Sequence, residues 1–219
     1  PFDGGKSDIP GTEVKEAILP EDQVSASLQL SSNLMLLAHW QYGFHPTLIP
    51  PVGAFQSTDD VLGPGGSCMG AYRDAKTCSG LARMEDKRPK DAGQWGVGGR
   101  YRISNETELG LYYLNYNDRS PALIFSPDFE SYHVRYFDDV KMLAGTVSTS
   151  FGKIAAYGEL SYRQDTPVMV NMRGMPDVPA YVRGNVTQLN VGGFYNIGRT
   201  SLADDMQLKR VRSVDTYID

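Results

Sequence analysis

Long apolar runs are missing from this chain, and with them the membrane-spanning helix, since no stretch approaches the ~18 consecutive apolar residues such a helix needs. A basic excess is missing too. With 21 Lys and Arg against 26 Asp and Glu, the net charge is -5 and the pI about 5.2, so no basic stripe marks a nucleic-acid partner. Histidine is scarce: His39, His45 and His133 lie far apart, without the His-x-x-x-His spacing of a metal centre. The Gly-x-Ser-x-Gly elbow of acyl hydrolases is absent, its nearest approach, Gly65-Gly66-Ser67-Cys68-Met69, lacking the final glycine. The pairs Asp59-Asp60, Asp138-Asp139 and Asp204-Asp205 do not follow the spaced acidic pattern of a calcium loop and read as solvated turn residues. Nothing in the sequence asks for a metal or another cofactor, and nothing assembles a catalytic nucleophile with its base. Ser131 and His133, two apart, are the only close Ser and His that an enzyme reading could use.

What is present is alternation. From Leu34 to Phe44, Leu34, Leu36, Ala38, Trp40, Tyr42 and Phe44 share one face of a strand, and Met35, Leu37, His39, Gln41 and Gly43 share the other. Val24 to Ser31 does the same, and only Ser32 and Asn33 separate the two runs, which predicts a tight hairpin. The pattern returns at Trp95, Val97, Gly99, Tyr101 and Ile103, then across Ser104-Asn105-Glu106 at Leu109, Leu111 and Tyr113. It returns again on both sides of Gly152, with Leu143, Val147 and Phe151 before it and Ile154, Ala156, Gly158, Leu160 and Tyr162 after it, and once more at Leu189, Val191, Gly193, Tyr195 and Ile197. Long connections are expected over 45–93, 117–130 and 164–185, a size uncommon inside compact soluble domains.

Tight turns alternating with long loops, and runs that approach the ~9–11 residues a tilted strand needs to cross a bilayer, point to an all-β fold. The expected architecture is an antiparallel transmembrane β-barrel of the outer-membrane type. Aromatic residues gather near strand ends, as Trp40, Tyr42 and Phe44 or Tyr112, Tyr113 and Tyr116 do, which suits rings at headgroup level. An apolar content of 41% and a mean hydropathy of -0.35 suit such a barrel, because only alternate residues meet lipid. A half-buried β-sandwich shares the alternation and is the competing architecture.

The organisation expected is a loop or short helical segment over 1–22, with one or two helical turns near Glu13 to Leu19, then barrel strands over 23–198 and a turn with a further strand over 199–219. The opening on Pro1 and the close on Tyr217-Ile218-Asp219, without a terminal aromatic residue, read as cut ends of an incomplete portion of a larger barrel. Cys68 and Cys78 stand in the longest connection. In an oxidising compartment such an isolated pair reads as a disulfide, and no neighbouring His or second cysteine pair favours a metal.

On a barrel, the polar Arg100, Arg102, Glu108, Glu159, Arg163, Gln188 and Asn190 must face the lumen, since a basic residue facing lipid near the midplane costs about 2–4 kcal/mol. Met35, Leu37, Tyr112, Leu114 and Phe194 share those faces, so the expected inner wall is mixed, suited to amphipathic molecules or to packing against an inward-folded plug. The cluster Arg83, Lys87, Arg88 and Lys90, mixed with Glu85, Asp86 and Asp91, reads as a solvated loop or as a contact for lipopolysaccharide phosphates.

Leu19-Pro-Glu-Asp-Gln-Val24, Leu62-Gly-Pro-Gly-Gly66, Asp91-Ala-Gly-Gln-Trp-Gly96, Gly110-Leu-Tyr-Tyr-Leu-Asn-Tyr116 and Gly158-Glu-Leu-Ser-Tyr-Arg163 together resemble a family of uncharacterised Gram-negative outer-membrane β-barrel proteins, a domain of unknown function distantly similar to the long-chain fatty-acid channels. The resemblance runs from about Phe2 to Asn196, and members are usually more than twice this length. It implies an outer-membrane location, lipid and lipopolysaccharide surroundings, hydrophobic cargo, and a periplasmic lipoprotein or exporter as partner. The expected function is a channel or uptake protein for hydrophobic small molecules or lipids, without covalent chemistry. The rival is a structural or docking barrel whose external loops bind partners.

Overall fold

The computed structural model describes residues 1–7, 9–54, 57, 61–71, 77–172, 175–196 and 207–218. Two helical turns, α1 (Gly4–Ser7) and α2 (Val14–Ala17), precede the strands. Eight strands then form one antiparallel sheet in simple meander order: β1 (Gln23–Gln29), β2 (Leu34–Gln41), β5 (Gln94–Arg102), β6 (Thr107–Tyr116), β9 (Val140–Phe151), β10 (Ile154–Met172), β11 (Met175–Asn196) and β12 (Gln207–Ile218). The connections hold a second, four-stranded sheet of β3 (Cys68–Met69), β4 (Leu81–Arg83), β7 (Ala122–Phe125) and β8 (Ser131–Arg135), ordered β3-β4-β8-β7 with β4 and β8 parallel. The chain is all-β. The eight-stranded sheet is open, its edges being β1 and β12, so a closed barrel is not what the structure shows.

The tight turns fall where the alternation predicts them. Ser31 Oγ accepts from the amides of Asn33 and Leu34 at 3.3 and 3.1 Å and closes the β1–β2 hairpin. Ser104 holds the β5–β6 turn by accepting from the Glu106 amide at 3.2 Å while donating to its carboxylate at 3.0 Å. Between β9 and β10, Phe151 pairs with Ile154 across Gly152 and Lys153, and Gly152 has φ 58°, the first turn position at which a type II′ hairpin takes glycine.

Two stretches differ from expectation. Residues read as a loop over 164–185 continue the ladder, from Thr166 opposite Gly184 to Asn171 opposite Pro179, after a bulge at Asp165 with φ 59°. The stretch holds Pro167 and Pro179, and here β10 and β11 form a two-stranded ribbon with free outer edges, where a missing N–H is tolerated. Phe44, expected on the outward face of the second strand, is 6% exposed and meets Tyr136 edge-on at 5.7 Å, because β2 ends at Gln41 and the chain turns toward the small sheet. The acidic pairs Asp59-Asp60 and Asp204-Asp205, Ile197 and residues 199–206 lie outside the described residues.

The apolar core sits with the small sheet. Tyr132 and Val134 of β8 are fully buried beside Ala122 and Phe137, and the Tyr132 hydroxyl donates to the Val61 carbonyl at 3.1 Å. Arg83 binds this region together, donating to the carbonyls of Val61, Leu62, Gly63 and Gly66 at 2.8–3.2 Å and to the Asp86 carboxylate at 2.8 Å. Cys68 and Cys78 form a disulfide with Cα atoms 5.5 Å apart. Arg183 of β11 fastens the small sheet to the ribbon by donating to the Asp138 carbonyl at 2.8 Å and pairing with its carboxylate, and Arg135 and Arg183 lie 4.9 and 5.4 Å from the Phe137 ring.

Closing a ring this small removes about 2–3 kcal/mol of unfolded-state freedom on the chain-entropy model. The joint substitution Cys68→Ser and Cys78→Ser is therefore expected to speed proteolysis within 61–71 and 77–91 while leaving the circular-dichroism signal of the long strands unchanged.

Candidate functional site

Pairing in the large sheet assigns every side chain to one of two faces. Outward rows run Ala26, Ala38, Val97, Tyr113, Leu143, Tyr162, and next to them Leu28, Leu36, Gly99, Leu111, Gly145, Leu160, Leu189. Among the described residues nothing packs over them. Leu28, Leu111 and Leu160 are 58%, 61% and 55% exposed.

The opposite, inner face carries all twelve residues expected at the lumen, but it sorts them into separate places. Met35, Arg100, Arg102 and Glu108 line a small polar cavity of about 110 Å³ with Gln29 and Asn33, near the short turns. There Arg100 pairs with Glu108 at 3.5 Å and its Nη2 donates to the Met35 sulfur at 3.2 Å. Leu37, Tyr112 and Leu114 belong to a second cavity, about 440 Å³, higher on β1, β2, β5 and β6. Glu159 stands opposite Thr146 and Asn190, and Gln188 donates to Asn190 Oδ1 at 3.2 Å. Arg163 stands opposite Met142. Phe194 is far from Leu37 and Tyr112 along the sheet: it meets Tyr157 at 6.4 Å beside the Gly152 turn.

At the end of the sheet nearer the small sheet, a glutamine tier crosses three strands. Arg119 donates to Gln41 at 3.3 Å, Gln41 donates to Gln23 at 3.3 Å, and the Asn117 amide donates to the buried Gln94 carbonyl oxygen at 3.0 Å. Arg119 also pairs with Glu21 at 2.8 Å. Sequence reading missed this tier because its partners come from segments 78 and 23 residues apart. On β1, β2, β5 and β6 the inner face thus has charge near the short turns, an uncharged middle and amides with the Arg119–Glu21 pair at the far end, and Arg163 enters the middle tier from β10.

A family model described as "Protein of unknown function (DUF1302)" matches residues 1–214. The chain belongs to that family. No curated protein and no solved structure matches it. Family membership therefore fixes kinship, and chemistry has to be argued from the side chains.

Of the basic cluster expected in the longest connection, Arg83 is committed to the carbonyls and carboxylate named above, which leaves Lys87, Arg88 and Lys90 for any external anion. Ser131 and His133 share a face of β8, yet no hydrogen bond joins them; the Ser131 amide instead donates to Ser126 Oγ at 3.0 Å. Burial lowers the His133 pKa from its ordinary 6.5, and Lys87 and Arg135 lower it further, against the opposing pull of Asp86. The folded state resists the proton that the unfolded chain accepts, so stability is retained above about pH 6.5 and declines below it, toward the depressed folded value. Proteolysis of the small sheet is expected to quicken between pH 7 and 5, and His133→Gln to flatten that dependence.

The Arg100–Glu108 pair is about one-third exposed on each side, where such pairs contribute about 0.2–1 kcal/mol. A double-mutant cycle with Arg100→Met and Glu108→Gln is expected to return a coupling in that range.

Proposed function

We propose that the eight-stranded sheet is part of the wall of a Gram-negative outer-membrane β-barrel that takes up or passes hydrophobic small molecules or lipids without covalent chemistry. The observation that carries this reading is the uncovered apolar face. A contiguous exposed face of Leu, Val, Tyr and Trp is unusual on a water-soluble monomer and ordinary on a surface whose solvent is lipid. Its extent agrees. From Trp95 to Ile103, and again from Ile154 to Tyr162, outward apolar positions cover eight residue steps, about 27 Å at about 3.4 Å each. At a tilt of about 40° that is about 20 Å of height, close to the ~25 Å apolar band of such barrels. The belt also steps along the strands, starting at Trp95 on β5 and, three strands away on β10, at Tyr162, two residues off the Trp95 row, as a level belt does on inclined strands.

The inner face supports the cargo class. Leu37 and Leu114 offer contact to an apolar body, and the polar side chains around them offer hydrogen bonds to a head group. The compact, disulfide-linked small sheet supports the second reading, in which external loops dock a partner such as a periplasmic or surface component and the lumen stays closed. Lipid and lipopolysaccharide are the surroundings either reading requires.

Leu36→Lys is expected to weaken folding into lipid vesicles by about 2–4 kcal/mol in denaturant titrations, as for a basic residue near the midplane, whereas Leu37→Lys, on the other face, costs far less. Equal and small effects would refute the wall. A deletion strain that accumulates fatty acids, terpenes and sterols at the parental rate would refute uptake, leaving the docking reading.

A further inference from the structure

Two adjacent inner-face rows cross β1, β2, β5 and β6. One is Ser25, His39, Gly96 and Leu114, and the other is Ser27, Leu37, Gly98 and Tyr112. The glycines decide the shape. A Cβ at Gly96 would overlap the His39 imidazole and one at Gly98 the Tyr112 ring, so both rings lie flat along the wall instead of standing into the space above it. The result is the 440 Å³ cavity, about the volume of fifteen water molecules at about 30 Å³ each.

Its lining holds no Asp, Glu, Lys or Arg; Arg100 lies one row away, paired with Glu108, and Arg163 stands in the Leu114 row two strands further on, beyond Met142. Among the described residues the Ser25 and Ser27 hydroxyls and the His39 ring have no protein hydrogen-bond partner, while Leu37 and Leu114 supply apolar contact; the Tyr112 ring forms the floor, its hydroxyl lying over Gly110 toward the Arg100 row. An anionic head entering here loses water and meets no counter-charge, which costs more than an uncharged polar group that finds a hydrogen bond.

We propose that this groove binds an uncharged, largely apolar molecule bearing a hydroxyl or carbonyl group, an alcohol or ketone in preference to a carboxylate. The proposal rests on the reading of this face as the lumen. It places head-group recognition at Ser25, Ser27 and His39, with the Tyr112 ring as an aromatic floor, and leaves the charged residues near the short turns to pair with one another.

The test uses the full chain in phosphatidylcholine vesicles, with a long-chain alcohol carrying a diazirine on its chain, photolysed and mapped by mass spectrometry. Labelling is expected at inner-face positions of β1, β2 and β5, with dodecanol competing about tenfold better than dodecanoate, the factor worth one good hydrogen bond. Gly98→Val, which drives the Tyr112 ring upright, and Ser27→Leu, which fills the groove without touching a glycine, are each expected to reduce labelling at least threefold in protein that still inserts. Equal competition by dodecanoate, or label confined to outward Leu28, Leu36 and Leu111 in inserted protein, overturns the groove and leaves the wall standing. A chain that never floats with the vesicles overturns the wall itself, and the groove with it.

Discussion

Register in one antiparallel ladder governs this molecule. Because side chains alternate strictly, a slip of one residue between any two strands would send Leu36, Leu111 and Leu160 to the polar face and Arg100, Glu159 and Arg163 to the apolar one. Short, chemically specific turns prevent that. Ser31, Ser104 and Gly152 each fix the hairpin they close, and the paired strands carry the setting from one end of the sheet to the other.

The distribution of apolar side chains divides the structure into two kinds of construction. In the small sheet they pack inward around Tyr132 and Val134, as in any water-soluble domain. In the large sheet most of them, Leu28, Leu36, Leu111 and Leu160 among them, stand on the face opposite Arg100 and Glu159 and stay exposed. Backbone hydrogen bonds, not a packed interior, hold the long strands together. Rings laid over Gly96 and Gly98 show the same economy, since they give the wall its aromatic surface without filling the space beside it.

Alternation made β1, β2, β5, β6, β9 and the first half of β10 readable from residues alone, together with their faces and turns. The small sheet was not readable. Its strands have two to five residues, too few to show a period, and its pairing of β4 with β8 joins segments far apart in the chain. The ribbon beyond Arg163 was hidden by its prolines, whose effect depends on whether a neighbouring strand needs their missing amide, a matter of topology that local sequence does not contain. Likewise the neutral groove depends on which ring faces which glycine across strands: His39 and Gly96 stand 57 positions apart.

The ribbon formed by the far halves of β10 and β11 behaves as a strut. Arg183 grips Asp138 from one side of it, and the small sheet hangs on that grip. Since side chains on a strand swap sides with every residue, inserting or deleting a single residue between Arg183 and Val186, where pairing with the main sheet begins, would turn the guanidinium away from its partner, whereas one pair on each strand would keep it aimed. The distance between wall and small sheet can thus be adjusted only in steps of about 7 Å, so relatives with longer or shorter struts should differ by whole rungs.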